Sequence, residues 1–184
     1  MAPDGRTAPG APPRTHLRLR HAPLPLSEAE HPNLARVRAY ASSRGVELSI
    51  RRFAASTRTA QDAAREIGTT VERIVKSLVF IADGSGAVVL CSGASRVDED
   101  RLAAALGCHT VRRASAEEAK TLTGYAIGGV PPFAHARACR VVCDRGLAAF
   151  DVVWAAGGLP DAVFPIGPAD LVRLAEATVA EVAA

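Results

Sequence analysis

The sequence predicts an α+β domain built around a mixed β-sheet with flanking helices. Three observations carry this. Strand-like and helix-like stretches follow one another without a clean βα repeat, so a doubly wound parallel sheet is disfavoured. The stretch Ile74–Ile81 is apolar on both faces apart from Lys76 and Ser77, as a central strand is. The helical stretches are short and stop at Gly45, Gly68 and Gly107, residues that accept the left-handed conformation at a helix end. At 184 residues the chain suits one domain, and it contains no internal repeat.

Residues 1–31 read as an extended or disordered N-terminal tail. Seven of the twelve prolines lie within residues 1–32, and no apolar periodicity survives there. The folded domain is expected over residues 32–184. Asn33 is the expected cap of a first helix carrying Leu34, Val37, Tyr40 and Ala41. Val46, Leu48 and Ile50 alternate with polar residues and predict a strand over 46–53. Thr59 opens a second helix with a narrow alanine face, and Thr70 starts a short turn into the strand at 74–81.

Asp83-Gly84-Ser85-Gly86 predicts a hairpin to a partner strand at 87–91. Asp98 caps a helix that ends at Gly107, and a short strand follows at 108–112. Ser115 and Glu118 form a capping box for the next helix. Further strands are expected at 140–143, 151–155, 162–165 and 178–182, with Pro168 in the first turn of a last helix.

Composition excludes several classes. No apolar run approaches the roughly 20 residues of a membrane helix. The N-terminus lacks the apolar centre of a signal peptide, so a cytoplasmic location is expected. The four cysteines form no CxxC pair, which fits a reducing compartment. Net charge is +3, but residues 36–58 hold six arginines against one acid, Glu47. Arg36, Arg38, Arg51, Arg52 and Arg58 therefore form a candidate phosphate-binding face; the competing reading is a solvated surface.

The chemistry candidates are few. Thr123–Phe133 combines Gly124, Gly128 and Gly129 with Pro131 and Pro132, and is apolar between them. Such a loop either grips a ligand through its backbone N–H groups or makes a tight crossover. Lys76 interrupts an apolar strand face. It either holds its charge for a ligand or snorkels to the surface. Gly157-Gly158 either shapes a pocket or makes an ordinary turn.

No metal site is expected. His135, Cys139 and Cys143 have helical spacing, but Cys139–Cys143 reads as a strand. Residues four apart on a strand are about 13 Å apart, too far for one zinc ion. No nucleophile elbow, Walker loop or dinucleotide fingerprint is present, so no nucleotide cofactor is expected.

Four motifs carry a family likeness: Thr57–Ala64, Ile74–Phe80, Thr123–Phe133 and Trp154–Gly158. Together, and in this order, they resemble the YbaK family of aminoacyl-tRNA deacylases, or prolyl-tRNA-synthetase-associated editing domains. The likeness runs from about residue 33 to the C-terminus.

The resemblance implies a mixed, strongly curved sheet with flanking helices. It also implies a freestanding trans-editing enzyme that hydrolyses the ester of mischarged aminoacyl-tRNA. Lys76 falls on the family's key lysine and Ser77 on the hydroxyl residue after it. Gly128 and Pro132 fall on its GxxxP loop. Asp144, Gly157 and Gly158 resemble positions that line the pocket. Pro131 stands where many members carry Ser or Thr, and Ala134 replaces a common glycine.

On this reading Lys76, Gly128 and Gly129 are catalytic, the glycines through N–H groups that stabilise the developing oxyanion. Ser77, Pro131, Pro132, Asp144, Gly157 and Gly158 bind substrate, and the arginines at 36–58 hold the acceptor stem. The expected partners are mischarged tRNA and an aminoacyl-tRNA synthetase, with no membrane and no DNA. Two other readings stay open: a non-catalytic tRNA- or synthetase-binding module, and a hydrolase of small esters or amides.

Overall fold

The computed structural model describes residues 30–54 and 59–184. Most of the expected N-terminal extension, and Arg58, lie outside these residues.

Helix α1 spans Pro32–Ser42 and is capped by His31, whose Nδ1 accepts from the Asn33 N–H at 3.1 Å. The expected cap, Asn33, is displaced because Pro32 already fits the first helical position, where its missing N–H costs nothing. The Asn33 amide instead donates to the Gly158 carbonyl at 3.1 Å. The strand expected over 46–53 shrinks to β1, Arg51–Arg52. Leu48 is buried and its neighbours Glu47 and Ser49 are exposed, so the alternation is real. Residues 46–50 carry no strand ladder.

Helix α2, Ala60–Ile67, begins at Thr59, which accepts from the Asp62 N–H, and ends at left-handed Gly68. A 3₁₀ turn at Val71–Arg73 leads into β2, Val75–Ala82. β2 turns at Asp83-Gly84, with φ of 46° and 79°, into β3, Ser85–Ser92. Two positive φ values in succession make the primed turn that a two-residue hairpin needs.

Next come α3 (Glu99–Leu106), β4 (Val111–Arg113) and α4 (Ala116–Thr123), the last with the expected capping box. β5 (Arg140–Asp144), β6 (Val153–Ala156) and β7 (Ala162–Ile166) follow. Helix α5 (Pro168–Ala175) and β8 (Thr178–Ala180) complete the fold.

The strands divide into two sheets. The larger has the order β4-β2-β3-β5-β8, antiparallel around β2 and parallel at β3-β5 and β5-β8, so it is mixed as expected. The smaller is the antiparallel sheet β1-β7-β6. A single parallel bridge, Ile74 to Trp154, ties them together just before β2.

One face of the larger sheet packs Val79, Val88, Leu90 and Val141 against Phe133, Phe164 and the inner faces of α1 and α5. Its other face packs Phe80, Val89 and Val142 against Leu102 of α3 and Val182. Each face of β2 and β3 is therefore covered, which is why these strands read as continuous apolar runs.

Candidate active site

A cleft of about 310 Å³ opens where the two sheets meet. β4 pairs with β2 at Phe80–Ala82, so the start of β2 keeps a free edge on that side. That edge is one wall of the cleft, through Val75, Lys76, Ser77 and Leu78. Trp154, Ala156 and Val163 of the smaller sheet form a second wall, α2 a third, and Ile127, Gly128 and Val130 close it.

Lys76 is half-buried, on the same strand face as Leu78 and Phe80. Its Nζ donates to the Ser95 carbonyl at 2.5 Å. One of three ammonium donors is thus committed, and two remain for a ligand. The residue beside it on β3 is Cys91. Burial pushes that thiol up to about 11, and the nearby Lys76 charge only partly offsets this. Cys91 is therefore a protonated, inert thiol at neutral pH.

Ser77 also lines the cleft, and its Oγ is buried without a hydrogen-bond partner among the described residues. A buried hydroxyl left unpaired costs about 1–3 kcal/mol. Counting back from the two-residue hairpin, the Ser77 N–H and C=O point toward the free edge of β2. Ser77→Ala removes the unpaired oxygen and is expected to hold or raise stability, by up to about 1 kcal/mol. A thermal melt of the variant checks this.

The glycine loop behaves differently from expectation. Ala126–Gly129 is a tight turn with Gly128 at φ 89°, closed by the Gly129 N–H donating to the Ala126 carbonyl at 3.0 Å. The Gly129 N–H is spent on that turn, so it does not supply the oxyanion contact expected of it. Only Gly128 of the pair lines the cleft, and its N–H donates to no described residue.

Gly129 has a packing role instead. A Cβ there would lie 2.8 Å from the Leu159 carbonyl carbon and 2.9 Å from its Cα, both main-chain atoms. Gly129→Ala is expected to destabilise the fold by about 1–3 kcal/mol, the cost of overpacking against atoms that cannot swing away. Chemical denaturation would measure it.

Several expected site residues are not brought to the cleft. Pro131 and Pro132 are buried behind it. The Pro131 carbonyl is held by His135 Nε2 at 2.8 Å, and burial lowers the pKa of that imidazole. Gly157 and Gly158 are also buried and do not line the cleft; Gly158, at φ 109°, packs against Asn33 and Tyr125. They shape the wall from behind.

Asp144 is only 5% exposed, and its carboxylate faces main chain: Oδ1 accepts from Gly146 N–H, and Oδ2 from Val182 and Ala183 N–H. This geometry gives it a latch on the C-terminal segment in place of the expected lining position.

The arginines separate in the same way. Arg36 donates to the Tyr125 hydroxyl at 2.7 Å, and Arg38 pairs with Glu30 at 3.0 Å. Arg52 is bound to Asp161. Arg51 forms no ion pair among the described residues, and its guanidinium lies 4.9 Å over the Trp154 ring. Strand alternation sends neighbours to opposite faces, so Arg51 and Arg52 part company here.

Sequence reasoning missed Trp154 and Ile127 as lining residues. Trp154 was visible as the sole tryptophan, and Ile127, 60% exposed, as an apolar residue inside the glycine turn. Among the described lining residues there is no Asp, Glu, His or Cys. The cleft is an apolar slot carrying one ammonium, one unpaired hydroxyl and free main-chain groups.

Residues 54–174 match the family model of the aminoacyl-tRNA editing domain. The chain belongs to the aminoacyl-tRNA editing domain family. It is 30% identical to an uncharacterised Bacillus subtilis protein, YwhH, over 76% of this chain and 88% of that one. It is 38% identical to the proline–tRNA ligase of Lactobacillus gasseri, over 40% of this chain and 13% of the ligase. A crystal structure of a proposed trans-editing enzyme for prolyl tRNA synthetase superposes with a TM-score of 0.79 at 39% identity. That match covers 84% of this chain and 98% of the other, which supports the α+β architecture throughout.

Proposed function

We propose that this protein hydrolyses the ester bond of mischarged aminoacyl-tRNA as a freestanding trans-editing enzyme. The observation that carries the reading is that Lys76 and Gly128, whose N–H donates to no described residue, line one cleft with no Asp, Glu, His or Cys among its described lining residues to act as or activate a nucleophile.

Ester hydrolysis in such a cleft needs no protein nucleophile. Water adds to the carbonyl carbon, negative charge grows on the carbonyl oxygen, and the bond to the ribose oxygen breaks. That oxygen leaves with a proton, giving free amino acid and uncharged tRNA. The Lys76 ammonium, held by the Ser95 carbonyl, and the Gly128 N–H, held in a tight turn, are positioned donors, and preorganised donors stabilise charge that develops in the transition state. The ribose hydroxyl or the amino-acid side chain can assist the attacking water. Among the described lining residues no carboxylate is present to receive the substrate α-ammonium. Main-chain carbonyls such as that of Ser77 take that role.

The volume and apolar walls fit a small amino-acid side chain, and the unpaired Ser77 hydroxyl is a partner for a polar atom on it. Ser77→Ala should therefore lose turnover while keeping its stability.

The test is release of amino acid from tRNAs mischarged with cysteine, alanine, serine or threonine. Release from at least one of them is expected. Failure to release any of the four overturns the assignment and favours a tRNA-binding module. Equal turnover of simple amino-acid esters favours a small-ester hydrolase.

A further inference from the structure

Among the described residues, Arg51 is the one arginine of the 36–52 segment that neither an acid nor a tyrosine holds. Arg36 is bonded to Tyr125, Arg38 and Arg52 are paired with acids, and Arg44 lies 3.8 Å from Glu176 and over the Tyr40 ring. Its direction is fixed by register. Arg51 sits opposite Val163 on β7, and Val163 sits opposite Ala156 on β6. Cross-strand partners share a face, and so do residues two apart. Arg51, Val163, Ala156 and Trp154 therefore share one face of the smaller sheet, the face that borders the cleft.

Trp154 is partly exposed and packs against the buried cluster of Ala63, Ala64 and Ile74. It is a large, rigid, supported aromatic surface. A second cation, Arg73, donates to the Val152 carbonyl at 3.2 Å, two residues before Trp154, lies 5.3 Å over the Phe150 ring and makes no ion pair among the described residues. An aromatic plane beside acid-free guanidinium groups is the combination that binds a nucleotide, the ring taking a base and the cations its phosphate.

We propose that Trp154 and Arg51 form a nucleotide shelf at the cleft mouth: the Arg51 guanidinium, 4.9 Å over the ring in the free protein, swings aside to take the phosphate while the terminal base of the tRNA stacks on the Trp154 ring in its place. This rests on the proposed deacylase reading, because it places the end of the tRNA next to the ester. Both are positioning residues: they hold the nucleotide and leave the carbonyl to Lys76 and Gly128. Stacking is tolerant of base identity, so the shelf fixes position more than it selects sequence.

Trp154 is the sole tryptophan in the chain, so intrinsic fluorescence reports on the shelf directly. The first arm titrates the protein with adenosine 5′-monophosphate, with uncharged tRNA, and with the same tRNA lacking its terminal adenosine. Saturable quenching by the first two is expected, with a dissociation constant at least about tenfold weaker for the shortened tRNA.

The second arm measures binding and deacylation kinetics for Trp154→Leu, Trp154→Phe and Arg51→Ala. Trp154→Leu and Arg51→Ala should each raise KM for mischarged tRNA about tenfold with kcat nearly unchanged. Trp154→Phe, which keeps an aromatic plane, should restore most of the loss. Arg51 is exposed, so its variant keeps the arm informative even where Trp154→Leu unfolds.

Unchanged fluorescence at saturating tRNA, or a KM within twofold of wild type for Arg51→Ala, overturns the shelf. Quenching without turnover of any mischarged tRNA leaves the shelf standing and removes the deacylase reading. Turnover without quenching does the reverse.

Discussion

Lys76→Ala is expected to lower kcat/KM for deacylation of mischarged tRNA by about 10²–10³-fold, the effect of removing one preorganised donor from a developing oxyanion. The fold should tolerate the change. Lys76 is half-buried near the start of β2, and its one hydrogen bond runs to the Ser95 carbonyl in the loop after β3. Truncation removes an ammonium without opening a closed cavity.

The thermal midpoint should therefore stay within a few degrees while turnover collapses. Lys76→Arg sharpens the test. Arginine keeps the charge but spreads it over a longer planar fork, which does not reproduce a compact ammonium. Partial activity is expected for Arg and almost none for Ala. Wild-type turnover by Lys76→Ala, measured by amino-acid release, would remove Lys76 from the mechanism.

Asp144→Ala is expected to do the opposite, costing about 3 kcal/mol of stability while leaving the cleft chemistry in place in the folded fraction. Its two oxygens accept from the N–H groups of Gly146, Val182 and Ala183. With the carboxylate gone, these donors lose their acceptor in a site that is 5% exposed. Each buried unpaired donor costs about 1–3 kcal/mol, and water admitted to the site recovers part of that.

The C-terminal segment should loosen first, because Val182 fills the core under α3 and Asp144 holds its N–H. Hydrogen exchange at Val182 and Ala183, with a denaturant titration, would measure both effects. Asp144→Asn keeps one acceptor oxygen and should fall between wild type and Ala. If Asp144→Ala kept full stability but lost turnover, Asp144 would belong to substrate binding after all.

These two residues show how the sequence divides the problem. Both are charged groups in apolar strands; Lys76 drew attention for that reason, Asp144 only through the family likeness. What tells them apart is their partners. The Lys76 ammonium has one carbonyl and an open cleft, whereas the Asp144 carboxylate has three main-chain donors, two of them almost forty residues away. No local pattern encodes contacts of that separation. The same holds for the glycines. Gly128 and Gly129 look equivalent in sequence, yet one N–H closes a turn and the other is free. Arg51 and Arg52 differ only in which face of a two-residue strand each occupies.

The sequence by itself determined what short-range chemistry can dictate. The helix caps at Thr59, Asp98 and Ser115 follow from side chains that reach N–H groups three residues on. The hairpin at Asp83-Gly84 follows from residues that tolerate positive φ. The interior position of β2 follows from apolar residues on both faces. The family follows from four motifs in order.

The tertiary structure alone decided the separation into two sheets, joined at Ile74 and Trp154, and so the cleft between them. A strand's sequence records how much of each face is buried, but not which neighbour buries it. That choice placed Trp154 and Ile127 in the cleft wall, kept Pro131, Pro132, Gly157 and Gly158 behind it, and turned Asp144 toward the C-terminal segment.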